Sequence, residues 1–300
     1  MDWKRTGWFR LLAGVAVLWL LLALSAGAFE WPSRAYTVTR NLRYGVGLAQ
    51  APDGSGLTLK PLHYDRVSPR AKAAGPRPAV VLIHGGGFTG GGKENKRLGE
   101  LARALARRGH VCYLMNYRLA GDAPPAPAPF DADPLTRAAH AAAVDAKTML
   151  RHVRANAARD GVDPARIALL GESAGAITAL AAGISTPEAF ASDGPGFPCP
   201  AENHCGDTAP PAAIVNLWGT ADQFLDYFDP GDPPIMTVHG AKDFTVGISL
   251  LPAENIRAEC EEHGIPHWYY PVQDAGHGAW EMTAEGMDLT GLVAAFLGRV

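Results

Sequence analysis

Gly171-Glu172-Ser173-Ala174-Gly175 and, upstream of it, His84-Gly85-Gly86-Gly87-Phe88 are the two stretches on which the fold turns. Each follows an apolar run that reads as a buried strand, Ala79–Ile83 before the glycine triplet and Ile167–Leu170 before the serine. A helix-forming run, Ala174 to Ala182, follows the serine. A serine between two glycines at a strand-to-helix turn is a nucleophile elbow. Gly171 and Gly175 are needed there because the turn is tight and a side chain at either would strike the neighbouring strand or helix. The glycine triplet offers bare backbone N–H groups that can approach a developing oxyanion.

Working outward, strand-like and helical runs alternate. Leu57–Val67 reads as a strand in a leading antiparallel hairpin. Ala79–Ile83 is a strand, Asn95–Arg108 a helix, His110–Tyr117 a strand and Pro134–Asn156 a helix. Strand Ile167–Leu170, helix Ala174–Ala182, strands Ala213–Trp218 and Ile235–Val238, helix Leu251–His263, strand Trp268–Val272 and helix Leu289–Gly298 complete the series. This alternation predicts an α/β fold, a mostly parallel sheet covered by helices on both faces. In such sheets the site forms beyond the carboxyl ends of the strands, where both motifs lie. Two long connections, Gly121 to Asp133 with four prolines and Ile184 to Pro211, read either as solvated loops or as walls of a substrate pocket.

A serine hydroxyl attacks only if a base takes its proton, and the base needs a third group to fix its tautomer. The elbow therefore predicts an acid and a histidine further along, each just past a strand. Asp243 follows Ile235–Val238 and His277 follows Trp268–Val272, flanked by Gly276 and Gly278. Among ten histidines, His239 is the main rival, but it precedes the acid. Asp222, Asp226, Asp229 and Asp232 are the alternative acids. Glu172 is expected to give a supporting hydrogen bond rather than to join the triad.

This constellation resembles the α/β-hydrolase fold, in particular the hormone-sensitive-lipase-like and bacterial carboxylesterase families, over Leu57 to the C-terminus. Asn116-Tyr117-Arg118 and Val162-Asp163-Pro164-Ala165-Arg166-Ile167 add to the likeness. The resemblance implies a serine esterase needing no cofactor and no metal, with Ser173, His277 and Asp243 as triad. It also implies an oxyanion hole from the N–H groups of Gly85 and Gly86, with a contribution from Gly87, and Ala174. The expected substrate is a small-molecule carboxylic ester, cleaved through an acyl-enzyme. The alternatives are a peptidase or lactonase on the same scaffold, or a non-catalytic binding module. Gly247 stands where such relatives often carry proline, and there is no long N-terminal cap.

Composition agrees with a globular α/β chain: 300 residues, 47% hydrophobic and 19% charged. A net charge of −3 gives no electrostatic case for nucleic acid as a partner. Lys4, Arg5 and Arg10 precede an apolar stretch from Leu11 to Leu24, and Ala26-Gly27-Ala28 offers a small-residue cleavage site. Residues 1–28 thus read as a signal peptide or an uncleaved membrane anchor, ahead of a catalytic domain over residues 29–300. Either case exports the folded part, to a periplasmic, secreted or membrane-anchored location. Cys199 and Cys205 could pair there; unpaired thiols, or a metal site with His204, are the other readings. Cys112 and Cys260 read as buried apolar fillers.

Overall fold

A computed structural model describes residues 35–194, 197, 199–207 and 209–300. The segment read as a signal peptide or anchor lies outside the described residues. The strands are β1 (Tyr36–Gln50), β2 (Leu57–Pro69), β3 (Arg77–Ile83), β4 (Val111–Met115), β5 (Val162–Glu172), β6 (Ala213–Leu217), β7 (Ile235–Gly240), β8 (His267–Val272), β9 (Thr283–Ala284) and β10 (Met287–Asp288). The helices are α1 (Lys96–Arg107), α2 (Pro134–Ala155), the single turn α3 (Ala157–Asp160), α4 (Ala174–Ile184), α5 (Leu251–His263) and α6 (Leu289–Leu297).

Eight strands form one sheet in the order β1-β2-β4-β3-β5-β6-β7-β8. β1 and β2 pair antiparallel, β2 joins β4 antiparallel, and β4 through β8 run parallel. Side chains alternate between the two faces along each central strand. Val81, Ile83, Tyr113, Met115 and Leu169 share a core with α2, α4 and α5. Val80, Leu82, Cys112, Leu114 and Leu170 share the other with α1 and α6. The central strands are buried on both faces and therefore lack a polar stripe, as in other parallel sheets.

The expected helices begin where the sequence supplies caps. Asn95 caps α1 by accepting from Leu98 N, and Asp133 caps α2 through Leu135 N and Thr136 N, with Pro134 in the first turn. β1 is the first strand of the leading hairpin, and the sequence pattern sets no bounds for it. Its exposed half carries Arg40, Asn41 and Arg43, and its register slips between Thr39 and Leu42 and between Arg43 and Gly45. An irregular edge strand of this kind lacks clean alternation.

The strand registers align the carboxyl ends that matter. Ile83 pairs level with Met115 and Gly171, Gly171 with Asn216, Leu217 with Val238, and Gly240 with Val272. The chain therefore leaves β3, β5, β7 and β8 along one edge of the sheet.

The connection from Ile184 to Pro211 returns to that edge. Asp193 accepts from Leu48 N at 2.9 Å and from Arg118 Nη1 at 2.6 Å. Arg118 is wholly buried and also holds Asp145 of α2 through Nε and Nη2, and Leu48 O through Nη1. Asn203 clamps Val46 of β1 through both its N–H and its C=O. Cys199 and Cys205 are joined as a disulfide just around this clamp, which settles the reading in favour of a bridge. Cys112 and Cys260 are free and buried. Among the described residues no helix is long and apolar enough to cross a membrane.

Candidate active site

Ser173 joins β5 to α4 with φ 55° and ψ −124°, a left-handed excursion that costs a non-glycine residue conformational strain. The strain is held by packing and by the Ser173 N–H, which donates to Leu217 O at 2.9 Å. The glycines on either side have no room for a Cβ. At Gly171 it would run into the carbonyl of Gly175, and at Gly175 into the carbonyls of Ile83 and His84. The elbow thus packs backbone to backbone against the end of β3.

Asp243 sits in a tight turn after β7. Its N–H donates to Gly240 O, and its carbonyl accepts from Ser249 N at 2.8 Å. Its Oδ1 accepts from Thr245 N at 2.8 Å. Gly247 lies in the same loop with φ 159°, a value that the proline ring cannot reach. The departure noted in the sequence is therefore conformational. Gly240 faces the next loop so closely that a Cβ there would collide with the carbonyls of Ala275 and Gly276. Lys242 N also donates to Ala275 O. These contacts lock the loop of the acid to the loop of the histidine.

His277 Nδ1 lies 2.8 Å from Asp243 Oδ2, and His277 Nε2 lies 2.8 Å from Ser173 Oγ. The carboxylate can only accept, so it assigns the proton to Nδ1 and leaves the Nε2 lone pair facing the serine hydroxyl. Asp243 is buried, whereas the His277 ring is a quarter exposed. Residues 173, 243 and 277 are thereby brought together in one chain of hydrogen bonds. His239 makes no hydrogen bond to Ser173. Of the alternative acids, Asp222 holds Asn255, and Asp232 accepts from Asp229 N. None of the four bonds His277.

The glycine loop requires one correction. Gly85 N donates to Glu172 Oε1 at 2.7 Å, so this N–H is already committed and is not available to an oxyanion. The sequence could show that the N–H groups were unobstructed, but not which way each one pointed. Among the described residues the N–H groups of Gly86, Gly87 and Ala174 carry no protein hydrogen bond. Gly86 and Gly87 have φ of 119° and 59°, and their turn is closed by Thr89 N and Gly90 N donating to Gly86 O. Ala174 is the first residue of α4, where no intrahelical acceptor exists.

Glu172 does more than the expected single bond. Besides Gly85 N it accepts from Asn95 Nδ2 and from Trp218 Nε1, so its carboxylate ties the elbow to the glycine loop, the start of α1 and the end of β6. His84 stacks on Tyr117 with ring centroids 4.3 Å apart, and Tyr117 OH donates to His84 O. Burial pushes the His84 imidazole below its ordinary pKa, and its Nδ1 holds Gly85 O at 2.7 Å. The Asn116-Tyr117-Arg118 run is thus a set of three anchors, with Asn116 Oδ1 taking Lys93 N.

Beside the elbow lies a cavity of about 410 Å³. Phe88 continues from the glycine loop, and Ile177 is one turn past Ser173, with its N–H on Ser173 O. Phe130 comes from the proline-rich connection and Phe190 from the second long one, so both connections wall this pocket. His140 and Phe224 also line it. Burial pushes His140 down to about 4, which leaves it neutral at pH 7 among aromatic rings. Sequence reasoning missed His140, Phe190 and Phe224, because only the tertiary structure brings them into one pocket with Phe88 and Ile177. A second cavity, of about 360 Å³ between α2 and the 184–211 connection, is lined neither by the glycine loop nor by the first turn of α4. Among the described residues no group of three or more His, Cys, Asp or Glu is placed to hold a metal ion.

An eight-stranded, mostly parallel sheet with a strained serine elbow at the carboxyl edge defines an α/β-hydrolase. More narrowly, the family model described as BD-FAE matches residues 67–224, and the chain belongs to that family. The match contains the glycine loop and Ser173 but ends before Asp243 and His277. A chlorogenic acid esterase of Aspergillus niger is 36% identical over 115 residues, covering 38% of this chain and 21% of that protein. A truncated carbohydrate esterase from gut microbiota superposes with a TM-score of 0.63 at 17% identity, over 89% of this chain and 97% of that one. Thermogutta terrifontis esterase 2, phosphorylated by paraoxon, superposes with a TM-score of 0.59 at 22% identity, over 90% and 93%. At these identities the structural likeness speaks for the fold.

Proposed function

We propose that this protein is a serine hydrolase of carboxylic esters, with Ser173 as nucleophile, His277 as general base and acid, and Asp243 as the group that orients His277. The observation that carries this reading is the pair of 2.8 Å contacts running from Ser173 Oγ through His277 to Asp243. His277 Nε2 takes the hydroxyl proton as Oγ attacks the ester carbonyl. The carbonyl oxygen becomes an oxyanion, for which the N–H groups of Gly86, Gly87 and Ala174 are the donors. The imidazolium then protonates the leaving alcohol, and water repeats the sequence on the acyl-enzyme.

The acyl group is assigned to the aromatic cavity walled by Phe88, Phe130, Phe190 and Phe224, whose stacking surfaces suit a flat ring. The name of the Aspergillus niger relative, an esterase of chlorogenic acid, agrees with an aromatic acyl group. An exported location accords with the basic and apolar N-terminal sequence and with the Cys199–Cys205 bridge, since disulfides persist in oxidising compartments.

The deciding experiment is labelling with a fluorophosphonate probe together with hydrolysis of paired acetyl and aryl-acyl esters. Wild type takes the label and Ser173→Ala does not. Equal behaviour of the two proteins would sink the assignment, and a rate preference for acetyl over aryl-acyl esters would sink the choice of cavity.

A further inference from the structure

His239 is a wholly buried imidazole, and among the described residues neither of its ring nitrogens is within hydrogen-bond geometry of a protein partner. Buried polar atoms of this kind are rare and call for a reason. Its position supplies one. His239 is the penultimate residue of β7, four residues before Asp243, and its Nε2 lies 3.5 Å from Asp243 Oδ2. That is the same oxygen that faces His277 Nδ1 at 2.8 Å. Oδ1 is already held by Thr245 N. The carboxylate therefore meets a backbone donor on one oxygen, and two imidazoles on the other.

We propose that His239 is a positioning residue for Asp243: its neutral ring carries the proton on Nε2, and this N–H dipole keeps Oδ2 turned toward His277. The inference rests on the triad reading given above. At 3.5 Å the contact is a long charge–dipole attraction rather than a full hydrogen bond, but in a buried enclosure of low dielectric such attractions act over greater distances than in solvent. Burial keeps the ring neutral by pushing its proton affinity below the ordinary histidine value. The charged groups that face it are Asp243 and Asp222, which favour its protonated form, and His277, which opposes it; the Ser249 carbonyl also faces the ring and favours a proton on it. A neutral Nε2–H tautomer leaves Nδ1 without a proton. That explains a histidine as the penultimate residue of a buried, mostly apolar strand: a donor is needed at one point, and a second charge is not.

The consequence for catalysis has a definite sign. A donor on Oδ2 draws negative charge away from His277. Without it, the carboxylate stabilises the His277 imidazolium more strongly, so the base stays protonated to higher pH. The acid limb of kcat/KM should then move upward.

The test compares His239→Phe, which fills the enclosure without a donor, with His239→Gln, which restores one. Fluorophosphonate labelling of wild type is done first, so that failure of the triad reading itself is seen separately. His239→Phe should lower kcat about tenfold, at the small end of what a positioned proton-transfer group contributes. It should also move the acid limb of kcat/KM up by roughly half a pH unit or more, the scale of a lost dipole beside a titrating group. His239→Gln should recover most of both. A drop in kcat with an unmoved limb, or no recovery by glutamine, would show that the ring only fills space and would overturn the proposal. If His239→Phe does not fold, nitrogen-15 histidine spectra of the unaltered protein decide. A proton on Nε2 of a neutral His239 supports the proposal, and a proton on Nδ1 overturns it.

Discussion

Glu172 Oε1 and the backbone N–H of Gly85 meet at 2.7 Å across 87 residues of chain. The bond joins the residue before the nucleophile to the first glycine of the loop that faces it. Its geometry makes Glu172 the strut that sets the direction of the His84–Gly85 peptide, the unit from which the loop runs on to the next two N–H groups.

Replacing Glu172 by alanine should release that strut. With oxyanion donors misaligned, kcat should fall by about 10²-fold, comparable to the loss of one donor, with KM nearly unchanged. Steady-state kinetics check this. A rise in KM at constant kcat would place Glu172 in substrate binding instead.

Asp243→Asn should leave the fold intact but present an amide to His277. The amide can donate to Nδ1 and so favour the wrong tautomer, with an expected loss of about 10⁴-fold in kcat. Fluorophosphonate labelling should slow in parallel. The alternative acid Asp222, exposed and bonded to Asn255, should tolerate asparagine with little change in rate.

The buried histidines tie stability to pH. Burial holds His140 and His152 at about 4, against an ordinary 6.5. A folded pKa below the unfolded one means that the unfolded chain binds more protons in this window. Stability is therefore complete above about pH 6.5 and declines as pH falls towards 4, by at most about 3 kcal/mol for each ring. Thermal melts between pH 7 and 4.5 should show the decline, and His140→Phe should flatten it by about its own share. A melting temperature independent of pH over this range would contradict the linkage.

Arg118 is paired on one side with Asp145 and on the other with Asp193. Arg118→Met strands two carboxylates of which Asp145 is fully enclosed, and should destabilise by about 3–5 kcal/mol. Adding Asp145→Asn should return part of it. Chemical denaturation of the single and double variants measures both. Additive losses would mean that the buried pair is not coupled.

Reduction of Cys199–Cys205 removes the constraint on a short loop that carries Asn203, the clamp on β1. A cost of about 2 kcal/mol is expected from loop entropy, or about 4 °C in melting temperature for a chain of this size. Scanning calorimetry with and without reductant checks it.

Much of the architecture could be read in advance because it depends on local patterns. Apolar runs of strand length, caps such as Asn95 and Asp133, and the serine between two glycines each carry their meaning within a few residues. The chain order of Ser173, Asp243 and His277 was readable too, since each follows a strand. β1 was hard to bound, because an edge strand with two register slips shows no regular alternation. The direction of the Gly85 N–H was not legible at all. Glycine admits several peptide orientations, and the choice among them is made by a carboxylate 87 residues away.

The sequence by itself determined the alternation of strands and helices, the elbow and the identity of the groups that meet there, because chirality, caps and hydrophobic period act between near neighbours. Tertiary structure alone decided which glycine N–H groups stay free, that the second long connection returns to place Phe190 beside the elbow, and that His239 lies against the acid. Those outcomes depend on distances between residues far apart in the chain. Only the packed sheet, by aligning the ends of β3, β5, β7 and β8 on one edge, brings those distances within range of a hydrogen bond.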